Sequence, residues 1–111
     1  KKVEISWLLD FYGKLLTDKQ RKVMNMYFNE DASLSEIASG MGVSRQAVHD
    51  IISRGETLLY EYEDKLGLLE QFKFMEERLI SISNRLKNCN LEQDRENICN
   101  EIDELITRWE E

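Results

Sequence analysis

Residues 33–48 read SLSEIASGMGVSRQAV, a pattern typical of two short helices joined by a tight glycine turn. Ser33 and Glu36 have the spacing of an S-x-x-E capping box, which predicts a helix that starts at Leu34. Gly42 can adopt the positive φ that ends this helix, and Ser44 is a favourable N-cap for the next one. The stretch therefore predicts a helix-turn-helix, in which the second helix enters the major groove of DNA.

The first turn of the second helix carries the candidate base-reading residues Arg45, Gln46 and His49. An arginine fork fits guanine O6 and N7, and a glutamine amide can bind adenine in the same bidentate way. His49 is a candidate for a base or phosphate contact. The alternative is that all three are solvated residues on an exposed turn. Asp50 follows, and its carboxylate opposes phosphate contacts although it can accept a hydrogen bond from cytosine N4.

Charge argues against simple binding to nucleic acid. The chain of 111 residues has 15 Lys and Arg against 22 Asp and Glu, a net charge of −7. Duplex affinity depends on cations that neutralise phosphates. Residues 1–66 are nearly balanced, with nine basic and eleven acidic side chains, whereas residues 67–111 have six and eleven. Candidates for positioning the DNA backbone are the N-cap and four basic residues: Ser44, Arg54, Lys19, Arg21 and Lys22.

Composition and spacing predict an all-α protein with six helices. Proline is absent, and 41% of residues are hydrophobic. Helical spacing predicts a first helix with an apolar stripe, a second from Asp18 to about Asn29 behind a T-x-x-Q capping box, and a fourth from Ser44 to about Lys65. The first stripe is Ile5, Leu8, Leu9, Tyr12, Leu15 and Leu16. Gly55 lies within the fourth helix, where it favours a bend or a close contact.

The pattern changes after Gly67, where apolar residues follow a heptad-like spacing. The predicted seam is Leu68, Phe72, Met75, Leu79, Ile82 and Leu86. A turn at Asn88-Cys89-Asn90 and a last apolar stripe of Ile98, Ile102, Leu105 and Trp109 predict an antiparallel helical hairpin. We therefore divide the chain into a helix-turn-helix domain, residues 1–66 with the motif at 33–58, and a hairpin, residues 67–111. Each stripe is wider than a hairpin needs, so we expect the hairpin to pack on the front domain or to form a dimer.

Several motifs resemble those of the YlxM family of small bacterial helix-turn-helix proteins. They are Asp10-Phe11-Tyr12, Leu15-Leu16-Thr17-Asp18-Lys19-Gln20, residues 33–38 and residues 42–48. The same stretch resembles region four of bacterial sigma factors. The resemblance implies a cytoplasmic protein with a sigma-like helix-turn-helix, and a role associated with the signal recognition particle. After its first turn the recognition helix has fewer basic residues than sigma-like helices carry.

Two hypotheses follow. The first is a DNA-binding regulator, expected to be a homodimer because a single recognition helix provides little affinity. The second is a protein-interaction module that contacts a component of the signal recognition particle, and the acidic balance favours it. Trp7 and Phe11 are candidate partner-binding residues, although packing against the fourth helix or the tail explains them as well.

Catalysis is not predicted, because no nucleophile, metal set or phosphate-binding loop can be assembled from the sequence. We expect no cofactor and no metal. Acidic groups such as Glu76-Glu77 are typical of solvated helix faces. Cys89 and Cys99 are expected to be a reduced pair rather than a disulfide or metal site. No apolar run is long enough to enter a membrane as a spanning helix.

Overall fold

A computed structural model describes residues 2–88 and 92–110. Within these ranges the chain is all-α, with six α-helices and no strand. The bounds are α1 Lys2–Tyr12, α2 Asp18–Phe28, α3 Leu34–Met41, α4 Arg45–Leu66, α5 Leu68–Lys87 and α6 Glu92–Glu110, with a 3-10 turn at Gly13–Leu15 after α1. The chain divides into two compact units, Lys1–Leu69 and Glu70–Glu111, which we call the front unit and the C-terminal unit.

Local capping sets the ends of the helices as the sequence predicts. Both capping boxes are present, Thr17 with Gln20 at α2 and Ser33 with Glu36 at α3. In each box a hydroxyl accepts from the backbone N–H three residues on, and that residue's side chain accepts from the cap's own N–H. These bonds satisfy donors that a helix N-terminus leaves without partners.

The core of the front unit is built by α1 to α4 and the first residues of α5. Its fully buried members include Ile5, Leu8, Val23, Val48 and Leu59. The predicted stripe of α1 is confirmed except at Leu15, which is 55% exposed. The error has a physical cause, because the chain leaves the α-helix at Tyr12 and the 3-10 turn changes the angular spacing of the next three residues.

Gly55 lies in the middle of α4 where it meets α2. A Cβ atom at this position would be 2.8 Å from Sδ of Met24, which is fully buried. The prediction of a close contact at this glycine is confirmed. The 22-residue α4 then ends at Gly67, whose φ of 63° is left-handed backbone that favours glycine.

The C-terminal unit has a small core of Ile82, Ile98 and Leu105, with Phe74 and Met75 packed against it. Arg85 and Arg78 both pair with Glu101 of α6, and the hydrogen bond from Arg85 is the main cause that lowers the pKa of this carboxyl. Opposite charges and an apolar core therefore hold α5 and α6 together.

The predicted heptad seam is confirmed only in part, because Ile82 and Met75 belong to this core and Leu68 packs against the core of the front unit. Phe72, Leu79 and Leu86 are 37%, 53% and 52% exposed, whereas Ile82 is buried. One partner helix covers only one stripe of α5, so three of the six residues of the predicted seam remain more than a third exposed. Cys89 and Asn90 of the predicted turn lie outside the described residues, and Cys99 is an exposed free thiol.

Candidate nucleic-acid interface

The helix-turn-helix is formed by α3, a three-residue turn and α4. Gly42 ends α3 with φ 67° and ψ 32°, and the N–H of Val43 donates to the carbonyl of Ala38 at 3.1 Å. Ser44 then adopts extended backbone and its Oγ accepts from the N–H of Ala47 at 3.0 Å. A left-handed residue followed by an extended cap turns the chain sharply, so the first turn of α4 starts a new direction.

Arg45, Gln46 and His49 are all exposed on this first turn and the one after it. Two of them are linked through a neighbour, because Asp50 Oδ1 accepts from Gln46 Nε2 at 3.0 Å and lies 3.7 Å from His49 Nδ1. The Asp50 carboxylate therefore ties down the amide nitrogen of Gln46. The bond uses one of the two amide hydrogens of Gln46, so the second hydrogen and the amide oxygen remain for a base, in the orientation that Asp50 sets.

The basic residues of α2 are exposed but differ in their surroundings. Lys19 and Lys22 project from the helix surface, while Arg21 Nη2 lies 2.9 Å from Asp18 Oδ1. Arg21 and Lys22 line a groove that also contains the carboxylates of Asp10 and Asp18. A phosphate at this groove would meet mixed charge, with the Arg21 guanidinium partly neutralised.

The remaining predicted residues occupy different environments. Ser44 uses its oxygen as a helix cap, which leaves its hydroxyl hydrogen available to a phosphate oxygen. Arg54 is exposed further along α4. Trp7 and Phe11 are only partly exposed, and both pack against the core of the front unit.

Sequence reasoning missed the two contacts that modify these side chains, Gln46 with Asp50 and Arg21 with Asp18. In both cases the sequence spacing already indicated the contact. The pairs are four and three residues apart on a helix, which is the spacing at which side chains meet. Cap and turn chemistry predicted where the residues lie, and side-chain pairing decides what they can still bind.

The described ranges 2–88 and 92–110 contain neither a metal-ligand cluster nor a membrane-spanning helix. There, no three His, Cys, Asp or Glu residues come together as metal ligands would. None of the helices described combines the length and apolar character that crossing a membrane requires.

Comparison with known proteins supports the helix-turn-helix assignment. Residues 1–107 match the UPF0122 family, described as "Putative helix-turn-helix protein, YlxM / p13 like". A UPF0122 protein of Clostridium perfringens is 42% identical over 108 residues, 93% of this chain and 94% of the relative. One from Clostridium kluyveri is 54% identical over 77 residues, 69% of each chain. One from Fusobacterium nucleatum is 44% identical over 96 residues, 86% of this chain and 93% of the relative. With the motif in place and matches of this extent, the chain belongs to the UPF0122 family.

Proposed function

We propose that this protein is a DNA-binding regulator that reads the major groove with the first turn of α4. One observation carries the proposal: Arg45, Gln46 and His49 stand exposed together directly after a left-handed turn and a serine cap. This is the part of a helix-turn-helix that contacts base edges. The resemblance to region four of sigma factors also supports this proposal, and it implies that the protein acts in the cytoplasm.

Each side chain has a role in this proposal that follows from its contacts. Arg45 supplies donors and is suited to guanine O6 and N7. The oxygen of Gln46 supplies an acceptor, suited to the exocyclic amino group of adenine or cytosine. The phosphate backbone is held by the N-cap serine and four basic residues: Ser44, Arg54, Lys19, Arg21 and Lys22.

Net charge limits the affinity expected from these contacts. A chain of net charge −7 gains little from non-specific attraction to DNA, so binding depends on a few local cations. We expect weak binding to random duplex and a clear preference for one site. Affinity for that site should fall as salt rises, since phosphate contacts release counterions.

The test is selection of bound duplexes from a random pool, run in parallel with wild type, Arg45→Ala and Arg95→Ala. Arg95 is an exposed arginine of α6 and serves as the matched control. Enrichment of one defined site by wild type and Arg95→Ala, but not by Arg45→Ala, supports the proposal. No enrichment at low salt, or the same enriched site with all three proteins, contradicts it.

A second candidate is a protein-interaction module that contacts a component of the signal recognition particle. The acidic balance favours it, together with Asp50 beside Gln46 and His49 on the proposed reading face. An acidic surface is suited to a basic protein partner. Titration of the labelled protein with purified signal recognition particle components, in the presence and absence of duplex DNA, separates this candidate from the first.

A further inference from the structure

Helix α5 has two apolar faces, and one of them remains substantially exposed in the hairpin. Ile82, 4% exposed, lies in the core with α6. Phe72, Leu79 and Leu86 follow each other at intervals of seven residues and are 37%, 53% and 52% exposed. Ile80 beside them is 54% exposed. A side-chain row with a period of seven is the seam by which helices pair.

This exposed face forms a shallow groove, which we call the α5 groove. It is lined by Phe72, Met75, Glu76, Leu79, Ile80 and Ser83. Met75 also lines a neighbouring depression together with Trp109 of α6. Trp109 is 57% exposed, and Ile102 and Ile106, on the preceding turns of α6, are 37% and 51% exposed. The exposed apolar surface therefore extends from α5 to α6.

The exposed apolar surface of the C-terminal unit is large for a monomer. Seven large apolar side chains in the C-terminal unit are between 37% and 57% exposed. Two of the seven are aromatic, with about 150–250 Å² each when fully exposed, and the other five are leucine or isoleucine, so together they expose on the order of several hundred Å² per chain. Single apolar patches on monomers rarely exceed about 300–600 Å², and a stable interface takes about 800 Å² from each partner, polar rim included.

We propose that a second copy of this chain covers the α5 groove, with the two α5 helices antiparallel about a two-fold axis at Leu79. The row of apolar residues is self-complementary in this arrangement. Leu79 meets its counterpart, and Phe72 of each copy meets Leu86 of the other, since both lie seven residues from the centre. An antiparallel pair related by a two-fold axis is the closed, isologous arrangement that makes a dimer.

Charge along α5 favours the same arrangement. Residues 68–77 carry Glu70, Glu76 and Glu77 against Lys73, whereas residues 78–87 carry Arg78, Arg85 and Lys87 and no acid. Arg78 and Arg85 share the single carboxylate of Glu101 in their own hairpin, so three positive charges less one negative charge leave this half with a net charge of +2. Antiparallel pairing places the acidic half of one helix beside the basic half of the other. Parallel pairing would place like charges side by side, which is unfavourable. Two hairpins joined in this way form a four-helix bundle.

The dimer does not depend on the proposed DNA binding, because the groove lies wholly within the C-terminal unit. If the front unit does bind DNA, a two-fold dimer presents two recognition helices, and the selected site should have two related halves.

The first measurement is the oligomeric state of the full chain by sedimentation over roughly 1–200 µM. We expect a dimer whose dissociation constant rises at least tenfold in Leu79→Lys. The matched control is Leu15→Lys, because Leu15 is 55% exposed but lies in the front unit. Helix content by circular dichroism should be the same in all three proteins. A monomer throughout the range, or a dimer that Leu79→Lys leaves unchanged, overturns the proposal.

Cysteine cross-linking tests the antiparallel register. In a background with Cys89→Ser and Cys99→Ser, Leu79→Cys should form a disulfide-linked dimer under mild oxidation. Phe72→Cys or Leu86→Cys alone should not, whereas a mixture of these two variants should cross-link. Efficient cross-linking of Leu86→Cys with itself means that the helices are parallel and overturns the assigned geometry.

Discussion

Tyr12 and Glu63 are joined by a hydrogen bond of 2.7 Å from the phenol Oη to carboxylate Oε1, across 51 residues of sequence. Both groups also cap the start of α5: the N–H of Leu68 donates to Tyr12 Oη and that of Leu69 donates to Glu63 Oε1, each at 3.0 Å. Burial, followed by the hydrogen bond to Glu63, raises the pKa of Tyr12. One polar cluster therefore ties α1, the end of α4 and the beginning of α5 together.

Tyr12→Phe should destabilise the front unit by about 1–3 kcal/mol, because it leaves the Leu68 N–H without its acceptor in a nearly buried position. Tyr12 is 1% exposed, so water cannot easily replace the lost bond. Denaturant unfolding measures the loss, and faster hydrogen exchange at Leu68 locates it. Tyr62→Phe is the control, since the phenol of Tyr62 makes only a long 3.4 Å bond to the Leu15 carbonyl. Equal losses in both variants would contradict the role given to the cluster.

Gly55→Ala should destabilise the protein by up to about 2 kcal/mol, because overpacking of a filled core costs about 1–3 kcal/mol and the gain in helix propensity offsets only about 1 kcal/mol of it. The added Cβ would lie 2.8 to 3.1 Å from Sδ, Cε and Cγ of Met24. Gly40→Ala is the matched control, because no atom lies within 4 Å of its added Cβ and we expect a gain of about 0.5–1 kcal/mol. Thermal unfolding should show a lower midpoint temperature for Gly55→Ala and a higher one for Gly40→Ala than for wild type. In a Met24→Ala background, Gly55→Ala should no longer destabilise.

Glu36 should make the stability of the helix-turn-helix sensitive to acid. The hydrogen bond from the Ser33 backbone N–H, followed by that from the Ser33 hydroxyl, lowers the pKa of Glu36 below its ordinary value of 4.5. A lowered folded-state pKa means that the carboxylate stabilises the fold fully above about pH 4.5, and that this contribution is lost as the pH falls through the lower value. The contribution is measured from the free energy of unfolding of wild type and of Glu36→Gln at a series of pH values. The two curves should converge in acid, and a constant gap would refute the prediction.

Elements whose ends depend on local chemistry could be predicted from the sequence. Caps at Thr17, Ser33 and Ser44 and the left-handed turn at Gly42 need only neighbouring residues, and all four are confirmed. The exposure of Leu15 and Leu79 could not be predicted in the same way. Apolar spacing shows that a face must be covered, but which neighbour covers it depends on the tertiary arrangement.

In the candidate site, too, the features set by local sequence were predicted and those set by side-chain contacts were not. The position of Arg45, Gln46 and His49 on the first turns of α4 follows from the cap and the turn. The bond from Gln46 to Asp50 and the cluster of Tyr12 with Glu63 depend on rotamers and on contacts across 51 residues. Hydrophobic periodicity contains no information on such polar pairs, although the spacing of four residues made the first pair foreseeable.

Asp50→Asn should strengthen duplex binding about threefold at low salt, and the gain should shrink as salt is raised. The substitution removes a negative charge beside Gln46 and His49, and charges exposed at this distance interact by roughly 1 kcal/mol or less in water. An asparagine at position 50 can still accept a hydrogen bond from Gln46, whereas Asp50→Ala loses both the charge and this bond. A difference in sequence preference between the two variants therefore reports the orientation of the Gln46 amide. Asp103→Asn, in α6, removes one charge elsewhere and should change affinity less. Equal gains from Asp50→Asn and Asp103→Asn would mean that only net charge matters and that α4 does not face the DNA.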